Sequence, residues 1–160
     1  MAVDIFLQID KVNGESADNK YKNAIEIISW SWGMTQSGTT HTGTGSGAGK
    51  VNVHDLTFTK YVDTASPVLM QKCCDGTPFT KATLTMRKAG ASPLIYLVIE
   101  MKNVLISSIS HATSAGDDRQ TEVVTLNFGQ VSYAYTPQKS DGSGGAAITT
   151  TWNIPGNSPA

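Results

Sequence analysis

The strongest constraint on how this chain can fold is period-two alternation of apolar and polar residues, recurring in runs that change phase partway. Val3, Ile5, Leu7 and Ile9 alternate with Asp4, Phe6, Gln8 and Asp10, and the run closes on the turn Val12-Asn13-Gly14. Successive side chains of a strand point to opposite faces, so such a run is a half-buried strand. From Ala24 to Trp32 the apolar residues sit at Ile25 and Ile27, then at Ile28, Trp30 and Trp32. That one-residue slip predicts a bulge near Ile28 and Ser29. Leu94 to Ser110 forms a long apolar strand whose inward phase moves from Ile99 and Met101 to Val104 and Ile106, which predicts a bend near Asn103. Arg119 to Tyr135 is its polar-faced partner, joined through the turn-rich HATSAGDD.

Three further runs complete the set. Val51 to Val62 carries Leu56 and Phe58 on one face and Thr57 and Thr59 on the other. Phe79 to Lys88 buries Ala82, Leu84 and Met86, and Ala147 to Ile154 adds a short strand after the Gly-rich stretch Asp141 to Gly145. A single helix is expected, with Thr64 or Ser66 as its cap, Pro67 in the first turn and Gly76 as its stop. Leu69, Met70 and Cys73 would share its buried side. The sum is a mainly β chain of about seven strands and one flanking α-helix, and strands this long with phase changes close most naturally into a single antiparallel β-barrel. Leu84, Met86, Ile99, Met101, Leu126 and Phe128 are its expected filling.

One stretch breaks the pattern. GMTQSGTTHTGTGSGAGK, Gly33 to Lys50, has no large aliphatic residue after Met34. It cannot bury a face, so 35–50 is read as a long mobile loop. The whole chain, 1–160, is read as one domain with a loosely ordered tail from about 139 to 160.

Composition narrows the function classes. Charged residues are 16% of the chain, against about 25% in ordinary domains. The missing polarity is supplied by 15 Ser and 19 Thr. A surface of this kind can pack against protein without desolvating many ions. The net charge of -1 gives no field for nucleic acid or anionic lipid. The longest apolar run, Leu94 to Ile99, is far short of the roughly 18 residues a membrane helix needs. Met1 to Asp10 lacks the apolar core of a signal peptide, and the two adjacent cysteines, Cys73 and Cys74, form no disulfide framework. Synthesis in a reducing cytosol, with no exit by the general secretory route, is the expectation.

No catalytic chemistry emerges. GSGAGK resembles a phosphate loop, but Thr44 stands where glycine is required, Val51 where Ser or Thr is, and a strand follows instead of a helix. His41, His54 and His111 are scattered without ligand spacing, and no G-x-S-x-G elbow is present. Cys73-Cys74 lacks C-x-x-C spacing, and Trp30, Trp32 and Trp152 have no basic patch beside them. The expectation is no enzyme, no metal and no cofactor.

Several long words point further. HDLTFTKYVDTASPVLMQKCCDG (His54 to Gly76), LTMRKAG (Leu84 to Gly90), YLVIEMKNVLISSIS (Tyr96 to Ser110) and TEVVTLNFGQVSYAYTPQ (Thr121 to Gln138) resemble the haemolysin-coregulated protein, or Hcp, family. GES at Gly14 to Ser16 and SWSWGM at Ser29 to Met34 are similar to it as well. The resemblance implies a tube subunit of the bacterial type VI secretion system. Six copies would form a ring, rings would stack into a tube, and sheath contraction would propel the tube with effectors carried or chaperoned in its lumen. Implied partners are further copies of itself, effectors, and sheath and spike-tip proteins, with no nucleic acid and no membrane insertion. Assembly would occur in the cytoplasm, followed by release outside the cell or into a target cell without a signal peptide. Ser29, Ser31 and Ser114 are the expected lumen wall. Gln36, Thr39, Thr40, His41, Thr42 and Lys50 are the expected ring or subunit contacts. A phage-type tail-tube protein and a monomeric ligand-binding β-barrel are the alternatives.

Overall fold

The computed structural model describes residues 2–38 and 49–160. Its elements are β1 (Val3–Ile9), β2 (Ile25–Glu26), β3 (Ser29–Ser31), β4 (Met34–Thr35), β5 (Asn52–Val53), β6 (Leu56–Tyr61), α1 (Ser66–Asp75), β7 (Phe79–Lys88), β8 (Leu94–Ala112), β9 (Thr121–Tyr135), β10 (Ile148–Asn153) and β11 (Ser158–Pro159). Every strand pairing is antiparallel. The chain is therefore mainly β with one helix, as its alternation predicts. More strands are seen than the expected seven because two runs are interrupted and two short strands, β4 and β11, lie outside the expected runs. The second splits where the chain changes partner, and the third breaks at His54 and Asp55.

The main sheet runs β11-β10-β9-β8-β7-β1-β2, with β6 on β9 and β3 on β6. The bulge expected near Ile28 is a handover between strands. Ile27 N–H donates to Ile5 O at 3.0 Å and Ile28 N–H donates to Thr59 O at 2.8 Å. One short segment thus leaves β1 and joins β6, linking the two ends of the sheet. Ile28 does not continue the inward row: Ile25 and Ile27 are buried and Ile28 is exposed.

β8 and β9 form the spine, paired from Leu97↔Tyr135 to Ala112↔Thr121. The opposite edge of β9 carries β6 along Thr121–Leu126 and β10 along Gln130–Tyr135. The bend expected at Asn103 is present, and Asn103 sits at φ +54°. Met101 and Val104 are both buried, and so are Val131 and Phe128 on the facing strand. Both strands therefore change phase at one rung while keeping register, and the ribbon's apolar side stays on the core. Asn tolerates the left-handed conformation better than any branched residue.

The expected barrel filling is buried without exception, with Leu84, Ile99, Met101 and Leu126 fully inaccessible. Each such side chain contributes roughly 1.5–3 kcal/mol. The helix departs from its sequence reading in two respects. Its N-cap is Ala65, with no side-chain cap, because the hydroxyls of Thr64 and Ser66 bond elsewhere. Met70 faces solvent, and the inner side is Ser66, Leu69 and Cys73. Gly76 ends the helix at φ +70°, its N–H on Lys72 O.

Ser66 is committed to a buried ionic cluster. Lys60 (0% exposed) and Glu122 (1% exposed) pair at 2.5 Å, and Lys60 also meets Asp63 at 2.9 Å. Ser66 Oγ donates to Glu122 Oε1 at 2.5 Å, and His111 Nε2 lies 3.0 Å from Glu122 Oε2. The cluster ties α1 to β6, β8 and β9. Burial alone would raise the Glu122 carboxyl, but hydrogen bonds from Lys60 and Ser66 and the charge of Lys60 outweigh it and hold it below its ordinary value.

A second cation pins the 13–24 segment to the outer side of β1. Arg87 bridges Asp18 at 2.6 Å and Asp4 at 2.9 Å. It also covers the stacked rings of Phe6 and Tyr21. The Arg87 hydrogen bond holds Asp18 down at about 2. Gly14 lies where a Cβ would come 2.5 Å from Ala24 O, so no side chain fits there.

Two predictions follow from this packing. Lys60→Met should cost about 3–5 kcal/mol in urea unfolding, whereas the double variant Lys60→Met with Glu122→Leu should recover most of that loss. Because the Glu122 pKa is depressed, the pair's contribution is present above about pH 4.3 and is lost as pH falls through the folded-state value. A double variant as weak as the single one would contradict the assignment. At the bend, Asn103→Gly should be near neutral and Asn103→Val should cost about 1–2 kcal/mol by the same measurement.

Candidate functional site

A chemically uniform surface grows out of the register of four strands. Ser31 pairs with Thr57, Thr57 with Thr125, and Thr125 with Ser108. The next rung runs Ser29, Thr59, Val123, Ser110. Residues directly opposite one another share a face, so these side chains form two rows across β3, β6, β9 and the far half of β8. At about 4.8 Å between strands, each row is about 14 Å long. The inner sides of the same strands hold Trp30, Phe58, Val124, Leu126 and Ile106.

These rows contain no charged side chain. Thr57 Oγ1 and Thr125 Oγ1 are 3.2 Å apart, each able to donate to the other. A bulge between Ile106 and Ser108 puts two successive serines outward. The extra one, Ser107, donates to Asp55 Oδ2 at 2.9 Å, and Asn127 Nδ2 donates to Asp55 Oδ1 at 2.9 Å. Asp55 is thereby engaged at one end of the face. On the other side of the bend the outer row is Gln8, Thr83, Glu100, Ser132, Thr151, and it includes the Lys81–Glu100 ion pair at 3.4 Å. The phase change at Asn103 thus divides a neutral surface from a charged one. A wall of Ser and Thr offers weak, reversible hydrogen bonds to a polypeptide and no ion that would trap it.

Ser29 and Ser31 form one margin of this face, both exposed. Ser114 is exposed at the tip of the β8–β9 hairpin, outside the rows, where its carbonyl accepts from Asp117 N–H. Gln36 and Lys50 are exposed beside the β4–β5 hairpin, which pairs Met34 with Val53. Thr39, Thr40, His41 and Thr42 lie outside the described residues. The hydroxyls of Thr57, Thr59, Thr125, Ser108 and Ser110 join Ser29 and Ser31 only through strand pairing. Their alternation with apolar residues is visible in the chain, but the neighbour of each strand is not.

Ser66, Lys60 and Glu122 lie together as a nucleophile and base would, yet all are buried and no substrate could reach them. Among the described residues no group of three His, Cys, Asp or Glu side chains could hold a metal ion, and no helix is long and apolar enough to cross a membrane.

Comparison with known proteins agrees with this fold. Residues 6–135 match the family model described as type VI secretion system effector, Hcp. Protein hcp1 of Pseudomonas aeruginosa is 51% identical over 156 residues, 96% of each chain. A solved type six secretion system protein superimposes with a TM-score of 0.94 at 29% identity, covering 99% of this chain and all of that one. Hcp1 from Salmonella typhimurium gives 0.83 at 38% identity, covering both chains fully. This chain, an antiparallel β-fold with a neutral hydroxyl face, belongs to the Hcp family of type VI secretion system proteins.

Proposed function

We propose that the chain is a structural subunit of the type VI secretion tube. Six copies form a ring, rings stack, and the hydroxyl face of β3, β6, β9 and β8 lines the channel. Sheath contraction then drives the tube out of the cell with effectors held against that wall. The observation that carries this reading is the pair of four-strand rows without a charged side chain, with Ser29 and Ser31 as their margin. Long polar rows of short side chains present a smooth surface on which cargo can be held and released. The segment from Gln36 through Thr39, Thr40, His41 and Thr42 to Lys50 reaches a neighbouring subunit or ring. A heterologous contact that closes makes the ring, and a second that does not close makes the tube. The Ser114 tip projects at the rim.

Light scattering on a sizing column should give six times the chain mass of 17.0 kDa. Ring-shaped particles should appear in negative stain. Ser31→Trp, placed on the wall, should leave that mass unchanged and lower the yield of co-purified effectors about tenfold. Loss of the ring in Ser31→Trp would show that Ser31 is a subunit contact and not wall.

A further inference from the structure

One carboxylate closes the hydroxyl face at the end nearer the bend. Asp55 stands two residues before Thr57, so the two side chains share a side of the sheet. Ser107 Oγ donates to its Oδ2 from β8, and Asn127 Nδ2 donates to its Oδ1 from β9, both at 2.9 Å. Each carboxylate oxygen thus has one fixed donor and keeps a further lone pair. The group is ordered, yet both of its partners are neutral.

Other carboxylates on the strands and around them are met by cations. Glu122 and Asp63 pair with Lys60, Asp4 and Asp18 with Arg87, and Glu100 with Lys81. Among the described residues no cation forms an ion pair with Asp55. Residues 39–48 contain no lysine or arginine, and His41 is their one titratable side chain. The hydrogen bonds at Asp55 do not require its charge. An asparagine could accept from Asn127 and donate to Ser107 Oγ, whose own proton can go to Thr125 O, already 3.2 Å away. The charge is therefore surplus to the fold.

We infer that Asp55 sets the charge class of the cargo, favouring polypeptide segments that present lysine or arginine and disfavouring acidic ones. The inference rests on the ring and wall reading above. Six copies would bring six carboxylates to one level of the opening, and the Ser and Thr rows hold no cation to offset them. A concave site lined by one sign of charge, with low-dielectric walls, raises the local concentration of the opposite charge by roughly 10- to 1,000-fold. The free lone pairs suit an ammonium or guanidinium group. Attachment stays reversible, because salt screens the attraction beyond about 8–10 Å.

The experiment uses the assembled wild-type particle and two fluorescein-labelled peptides of equal length. One carries lysine and the other glutamate at alternate positions in a Gly-Ser background, and binding is read by fluorescence anisotropy. The lysine peptide should bind about tenfold more tightly than the glutamate peptide. Raising salt from about 20 to about 300 mM should remove most of that preference. Asp55→Asn should abolish the preference while keeping the particle mass and melting temperature. Asp10→Asn removes the same charge from the exposed end of β1, off the wall, and should leave the preference as in wild type. An Asp55→Asn particle that keeps the preference, or an Asp10→Asn particle that loses it equally, would overturn the inference and leave the tube reading intact. If lysine-peptide binding is unchanged in Ser31→Trp particles of wild-type mass, the wall reading falls together with this one. If Asp55→Asn fails to assemble, Thr57→Lys decides with Asp55 in place: the added cation should abolish the preference, and a preference that persists would refute the role of Asp55.

Discussion

The neutral hydroxyl face and the charged face beside it both depend on one rung of the β8–β9 ribbon, where Asn103 takes a left-handed backbone opposite Gly129. A strand of nineteen residues cannot stay on one core without changing phase, because a curving sheet would carry its apolar side out into water. By bending both strands together, the chain keeps Met101 and Val104 inside and leaves the register intact. The rows beyond the bend then carry mostly hydroxyls and no charge, while the surface before it keeps ordinary charges. Farther along, the bulge between Ile106 and Ser108 shifts β8 by one residue against β9 and brings Ser108 and Ser110 opposite Thr125 and Val123.

Charge is arranged accordingly. Apart from Asp55 at the end of the neutral face, the ions that tie elements together are engaged away from it. Lys60 and Glu122 join the helix to the hairpin, and Arg87 fastens an outer loop. Buried ion pairs add little net stability, because desolvation consumes most of the Coulomb gain. Their effect here is positional: removing one partner strands a charge, so α1 is held in one place against β6, β8 and β9. The hydroxyl rows can then dispense with charges, since orientation is secured elsewhere.

Much of this could be read in the chain before the fold was seen. Alternation located the strands, the shift from Met101 to Val104 located the bend, and Gly76 marked the helix end. Tertiary partners were what one sequence could not supply. The slip at Ile28 read as a bulge because alternation reports phase, not which strand lies alongside. Ser66 looked like a cap because a hydroxyl at a helix start usually is one; a buried glutamate 56 residues away claimed it. Met70 was placed inside on spacing alone, although Leu69 and Cys73 suffice to cover the sheet. Ser29 and Ser31 came from family resemblance, and only the register reveals the rows they belong to.

The most direct test of this account is a cryo-electron microscopy reconstruction of the assembled particle at side-chain resolution. The account predicts a closed ring in which Ser31, Thr57, Thr125 and Ser108 face the central opening. A particle that packs those hydroxyls into a contact between subunits, or turns them to the outside, would contradict it.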